Sequence, residues 1–73
     1  MYIVLELQIS ADGTFGNFVW PFVGLPEAES KYHTVLAAAA ISSMAVHGAV
    51  IITADGQLIA SQCYKRDIPP VNE

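Results

Sequence analysis

The residues best suited to chemistry in this chain are two histidines and a single cysteine. Side chains of these types bind zinc or form a nucleophilic pair when the fold brings them together. The spacing of His33, His47 and Cys63 matches no metal-site pattern and includes no close pair. We therefore expect two ordinary histidines and a cysteine that is buried or lines a strand, with no metal and no cofactor.

The carboxylates also lack the arrangement that acid and base catalysis requires. Of the seven, two lie in predicted turns, two at the start of a predicted helix and two near the C-terminus. Only Glu6 falls within a predicted strand, and the sequence shows no partner for it. The glycines are isolated and form no phosphate-binding loop. These observations predict that the protein is not an enzyme.

Composition indicates association with other protein surfaces. The chain has 73 residues, of which 53% are hydrophobic and 14% are charged, whereas about 25% charged residues is typical. One small core cannot cover so much apolar surface, so we expect a homo-oligomer, a dimer or larger, or a subunit that binds other proteins. With three cationic residues and a net charge of -4, nucleic acid is not an expected partner.

The N-terminus lacks the cationic start of a signal peptide, and Glu6 interrupts its apolar run. Residues 33–54 are long enough to span a membrane, but they contain several polar residues and change periodicity midway. This stretch is predicted to be a helix followed by a strand. We expect a cytoplasmic protein with no membrane contact.

Two hairpins flank that helix in the predicted order of elements. Alternating apolar residues predict strands over residues 2–9 and 15–22, and β-branched residues predict a third strand over residues 48–53. A fourth strand is predicted over residues 58–65, after the second turn. An Asp-Gly pair separates the strands of each hairpin, and Gly13 and Gly56 suit the positive φ of a tight turn. The helix is predicted to begin at Pro26 and to run to about Ser43. Beyond Thr34 it is apolar on all sides, which indicates cover on more than one side.

The expected fold class is therefore α+β. We predict the order ββαββ, a four-stranded mainly antiparallel sheet, and one helix packed on one face. Residues 1–66 are predicted to form a single domain, followed by a loose tail over residues 67–73, where two prolines prevent a strand. One helix covers one face of four strands, so the other face must meet solvent or a partner.

The most informative feature for function is an aromatic stripe on the second strand: Phe18, Trp20 and Phe22. It is either core beneath the helix or an interface on the face that the helix leaves open, because Ile3, Leu5, Leu7 and Ile9 are sufficient to fill the core. We favour the interface, together with Ile41 at the end of the helix. The preferred function is a non-enzymatic, self-associating structural or interaction protein. The alternative is a small ligand-binding or peptide-binding module with its site at a subunit interface.

Candidate ligand-lining residues for that alternative are Tyr32, His33 and His47. The first two are neighbours on the helix, and the third opens the third strand. A cleft between protomers is the place where these side chains would meet a ligand. An exposed strand edge is a second place where a peptide could add.

Three segments give the sequence a resemblance to a known group of proteins. They are residues 29–40, residues 46–50 and Cys63-Tyr64. In these segments the chain resembles small uncharacterised phage or prophage proteins of Firmicutes, and the likeness extends over residues 1–65. The resemblance implies a setting, that of a small accessory or virion-associated protein of a mobile element. It assigns a role to no residue.

Overall fold

The structure, a computed structural model, describes residues 1–66. Its elements are β1 (Tyr2–Ile9), β2 (Phe15–Phe22), α1 (Leu25–Ala40), β3 (Val46–Thr53) and β4 (Leu58–Lys65). The predicted α+β class and the order ββαββ are confirmed. The loose tail predicted for residues 67–73 lies outside the described residues.

Both hairpins close through their Asp-Gly pairs, as the sequence predicts. Gly13 has a φ of 89° and Gly56 a φ of 93°, a region in which a side chain would be strained. In the first turn, Asp12 accepts hydrogen bonds from the Ser10 hydroxyl and, at 3.0 Å, from the Thr14 amide. These bonds lower the pKa of Asp12 from 3.8 to about 2, chiefly through the Ser10 hydroxyl, because they stabilise its charged form.

The strand order β2-β1-β3-β4 makes α1 a crossover connection. Both β2 and β3 pair antiparallel with β1, so they run parallel to each other on either side of it. Connections between parallel strands of one sheet are right-handed in about 98% of cases. A crossover of fixed hand places its helix on only one of the two sheet faces.

Three element boundaries differ from the predicted ones: the helix begins at Leu25 rather than Pro26, and the other two flank the loop after α1. The helix ends at Ala40 rather than Ser43, because Ile41 has left helical geometry with φ −113° and ψ 9°. Strand β3 begins at Val46 rather than Gly48, since β4 is long enough to pair with the earlier residues. Among residues 1–66, no helix is long and apolar enough to cross a membrane.

Arg66 fastens the end of α1 to the end of the sheet. Its guanidinium donates to the Ala39 carbonyl and, at 3.2 Å, to the Met44 carbonyl. The last carbonyls of a helix have no partner within the helix, and a cation close to them is favourable. α1 has no basic residue in its last turn, so Arg66 supplies that charge from the end of β4.

The core lies between α1 and the face of the sheet that carries Val4, Ala49 and Ile51. Ala28 and Ala39 of the helix have no exposed surface, which shows that their small side chains let the helix approach the sheet closely. Among residues 1–66, the buried hydrophobic residues are Val4, Ala28, Tyr32, Val35, Leu36, Ala39, Ala49 and Ile51.

The aromatic stripe of β2 lies on this same, helix-covered face. Trp20 pairs with Val4 and Phe22 with Tyr2, and both aromatic rings pack against the core. The structure thus places the stripe on the face opposite to the one that we favoured. The physical reason is the crossover, whose hand selects the helix face, whereas the alternation within a strand only sorts residues into two sets.

Candidate functional site

The face of the sheet opposite α1, called the open face below, is broad and apolar, and no other element among residues 1–66 covers it. The strand registers identify the residues of this face, because directly paired residues lie on the same face of a sheet. Its residues are Ile3, Leu5, Leu7 and Ile9 of β1; Phe15, Asn17, Val19 and Pro21 of β2; Val46, Gly48, Val50 and Ile52 of β3; and Leu58, Ser61, Cys63 and Lys65 of β4. Lys65 is the only charged residue among them.

The four β1 residues of the open face are those that we expected to fill the core alone. Each is half-buried by its neighbours in the sheet rather than covered by the helix. Large apolar side chains at the rim of this face are more exposed, with Phe15 at 58%. A contiguous apolar surface of this kind is typical of an interaction site.

A shallow apolar depression of about 260 Å³ lies in the open face, over β3 and β4. Its floor is at Gly48, the one open-face position that has no side chain. The residues that line it are Leu7, Val46, Gly48, Ala49, Val50, Ser61, Gln62 and Cys63.

Close packing of β4 against β3 explains the glycine at this position. A Cβ atom on Gly48 would lie 2.5 Å from the Cβ of Cys63 and 2.6 Å from the carbonyl oxygen of Gln62. Since the second contact is with backbone, a larger residue cannot be accommodated by a side-chain rotation. The depression is therefore built into the register of the sheet.

On the helix side of the sheet, Glu6 and His47 form a buried pair. The His47 Nε2 atom lies 2.6 Å from Glu6 Oε2, and the two side chains are 7% and 13% exposed respectively. Gln8 donates a further hydrogen bond of 3.1 Å to the same carboxylate oxygen. His47 Nδ1 is buried and has no hydrogen-bond partner among the described residues.

This geometry suits a structural link between β1 and β3. The carboxylate accepts from Nε2, so the remaining nitrogen, Nδ1, is the one that a reaction would use. Because Nδ1 is buried, a dissolved substrate would reach it only after the covering residues had moved. The pair was not predicted, since Glu6 and His47 lie 41 residues apart in the chain and no local pattern relates them.

Of the candidate ligand-lining residues, two lie close together and the third is separate. The rings of Tyr32 and His33 meet edge to face with their centroids 5.4 Å apart, but Tyr32 is buried in the core and His33 is exposed on the helix. His47 is paired with Glu6, as described above. None of the three lines the depression, which lies on the other side of the sheet.

Cys63 and His47 lie on opposite faces of the sheet. Cys63 pairs with Gly48 on the open face, whereas His47 pairs with Tyr64 on the helix side. Within residues 1–66, no group of three or more His, Cys, Asp or Glu side chains is placed to hold a metal ion.

The candidate interface residues are distributed over the helix side. Phe18 stacks on Trp20 with a centroid distance of 5.8 Å and is 52% exposed. The Lys31 ammonium lies 4.0 Å from the centre of the Trp20 ring, a favourable cation–π contact. Phe22 packs against the core, and Ile41 is 88% exposed just after the helix. Their role as an interface stays a prediction.

Comparison of the chain with protein-family models, with curated proteins and with solved structures found no match. The functional proposal therefore depends on the geometry of the described residues.

Proposed function

We propose that this protein is a non-enzymatic, self-associating structural or interaction protein whose copies pair through the open face. The observation that carries the proposal is the uncovered face itself, with Lys65 as its one charged residue. Removal of apolar surface from water is favourable by about 25 cal/mol per Å². A second copy supplies an equally apolar surface.

The size of the open face supports an interface between two copies. Four strands at a spacing of about 4.8 Å and eight residues at about 3.3 Å each give a plane of roughly 500 Å². Two such faces bury roughly 1,000 Å² when each is treated as a flat plane, and the uneven surface of the side chains adds to this area. A total of roughly 1,000 Å² is about the lower limit for a specific interface. The interface would use almost the whole face.

Charge also favours this surface over the others. Each copy has a net charge of -4, so two copies repel each other unless the carboxylates stay apart. Asp12 and Asp55 lie in the hairpin turns, Glu27 and Glu29 at the start of α1, and Glu6 beneath the helix. Among the described residues, no carboxylate lies on the open face.

The edges of the sheet are less suited to pairing than its face. On β2, Pro21 cannot donate a hydrogen bond to an added strand. On β4, the pairing with β3 is interrupted between Ile51 and Ile52 by a register shift, and Lys65 adds a charge at the strand end. Bulges, prolines and lysines are the features that oppose edge-to-edge association.

The experiment is a comparison of two matched charge substitutions by light scattering. Leu5→Glu places a carboxylate at the centre of the open face, and we expect it to yield a folded monomer. Val23→Glu makes the same kind of change at a residue that is 84% exposed outside the face, and it should leave the dimer intact. A folded Leu5→Glu variant with the mass of the wild-type dimer would contradict the proposal.

Two further variants test the helix-side candidates. Phe18→Glu and Ile41→Glu introduce the same charge on the other side of the molecule. Loss of the dimer in either variant, with Leu5→Glu still dimeric, would move the interface to the helix side. Circular dichroism of each variant confirms that the change in mass does not follow from unfolding.

The alternative of a ligand-binding module has one observation in its favour, the depression over Gly48. It is apolar, and a second copy across the open face would enclose it, so an apolar small molecule is the class of ligand that fits it. Native mass spectrometry of the purified dimer distinguishes the two functions. An additional bound mass that is lost in the Leu5→Glu variant would support the ligand module.

The resemblance to phage and prophage proteins agrees with a role of this kind. A small protein that assembles with copies of itself suits an accessory or virion-associated position as well as a cytoplasmic one.

A further inference from the structure

One row of paired residues crosses the open face and has large and small side chains in complementary positions. It runs Asn17, Leu7, Gly48, Cys63, because Leu7 pairs with both Asn17 and Gly48, and Gly48 pairs with Cys63. The two central members are opposite in size. Leu7 projects from β1, whereas Gly48 on β3 has no side chain and forms the floor of the depression.

From this row we infer how the two copies face each other, an inference that rests on the proposed function. We propose that a twofold axis runs parallel to the strands along the boundary between β1 and β3. About this axis, the Leu7 side chain of each copy seats in the Gly48 depression of the other copy. The occupant of the depression is therefore a second copy of this chain.

The symmetry of the sheet order is the first reason for this axis. In the order β2-β1-β3-β4, the boundary between β1 and β3 is the midline of the sheet. A twofold axis along the midline places β1 of one copy over β3 of the other. Leu7 is then carried onto the position of Gly48, its own register partner. A contact of this type is self-complementary, as a twofold interface requires.

The rival twofold axis, perpendicular to the strands, fits less well. It places β1 over β1, so that the large side chains Ile3, Leu5, Leu7 and Ile9 of one copy face the same set in the other copy. It also places β3 over β3, and when it passes through this row the two depressions face each other and stay unfilled. Voids and crowding in one interface both reduce stability.

The usual crossing of packed sheets does not disturb the contact. Aligned sheets cross at about 30°. Leu7 lies half a strand spacing, about 2.4 Å, from the axis. If the axis passes through this row, a 30° crossing displaces the Leu7 position by only about 1 Å. The seat in the depression is therefore retained.

The ends of the row give a distance test. Under the proposed axis, Asn17 of one copy lies across from the partner's Cys63, at about the 10 Å separation of packed sheets. The two native Cys63 residues lie at opposite ends of the row. Their Cα atoms are then about 17 Å apart, with three strand spacings along the row and one sheet spacing across it.

Cross-linking of the full chain with a short bis-maleimide, whose reach matches the sheet separation of about 10 Å, measures these distances. We expect the Asn17→Cys variant to give a covalent dimer through the introduced thiol and the partner's Cys63. The wild type, which has Cys63 alone, should stay uncross-linked under the same conditions. The control Asn17→Cys with Cys63→Ser should also stay uncross-linked, because its two thiols lie at opposite ends of the row.

A second variant tests the leucine itself. Leu7→Ala should raise the dimer dissociation constant about 100-fold, since two copies each lose one leucine contact and a factor of ten corresponds to about 1.4 kcal/mol. Val23→Ala, outside the face, should leave the dissociation constant unchanged. Analytical ultracentrifugation over a range of concentrations measures both.

The outcomes separate the inference from the proposed function. A dimer that dissociates on Leu5→Glu, but in which Asn17→Cys fails to cross-link or wild-type Cys63 cross-links readily, overturns the axis and retains the open face. A chain that stays monomeric at millimolar concentration overturns both. A dimer with the expected cross-links and an unchanged dissociation constant for Leu7→Ala overturns the role of the leucine.

Discussion

Removal of the buried histidine is the sharpest test of how the sheet is held beneath α1. In the His47→Leu variant, the Glu6 carboxylate, 13% exposed, would keep one side-chain partner, the Gln8 amide at 3.1 Å. Loss of one member of a buried pair costs about 3–5 kcal/mol. A chain of 73 residues has a total stability of roughly 4–11 kcal/mol. We therefore expect His47→Leu to lose a large part of the free energy of unfolding.

The double variant gives the opposite expectation. Glu6→Met alone leaves His47 buried with both ring nitrogens unpartnered, which costs about 1–3 kcal/mol. When both residues are replaced by apolar side chains, no buried charge stays unpaired, and such replacements are often neutral or stabilising. The double variant should therefore be more stable than His47→Leu by about 2 kcal/mol or more.

Urea unfolding at pH 7, followed by circular dichroism, measures this cycle. All variants are compared at one protein concentration, because association adds to the apparent stability. His33→Leu is the matched control, since His33 is exposed on α1 and its replacement should change stability by less than about 0.5 kcal/mol. If the costs of the two single variants add in the double variant, the pair is not coupled and the reasoning is refuted.

Three further predictions concern the glycines and Asp12. Gly48→Ala should cost about 1–3 kcal/mol because its Cβ would meet the Gln62 backbone, whereas Gly16→Ala, with open space around it, should stay within about 0.5 kcal/mol in urea unfolding. Gly13→Ala should cost about 1–2 kcal/mol in the same assay, since its φ is 89°. Asp12, whose pKa is lowered from 3.8 to about 2, contributes stability above pH 3.8 that is lost as the pH falls through about 2; acid unfolding of Asp12→Asn should lack this dependence.

Local patterns were sufficient to predict the elements. The Asp-Gly pairs specify turns because glycine adopts positive φ without strain, and Gly13 and Gly56 both do so. Alternation predicted β1 and β2, and the second turn predicted β4, with the bounds that the structure has. The end of α1 was predicted too late, because Ile41 extends the apolar run and Ser43 continues the helical stripe beyond Ala40, where the chain has already turned toward β3.

The sequence predicted that a candidate site of this type exists, but not which residues form it. An uncovered sheet face follows from one helix and four strands, and the sequence predicted it. Its composition did not follow, because both residue sets of β1 contain apolar side chains. Because Glu6 and Gln8 are polar, the even-numbered residues of β1 were interpreted as facing solvent. That interpretation was wrong, because a histidine from β3 pairs with the Glu6 carboxylate under the helix.

The sequence by itself determined the elements, their order and the surplus of apolar surface, since each depends on neighbours in the chain or on composition alone. Only the tertiary structure decided which face of the sheet the helix covers. That choice depends on the strand order and on the hand of the crossover, which no local pattern encodes. It placed the aromatic stripe in part against the core, paired Glu6 with His47, and left Leu7 and Gly48 side by side on the open face.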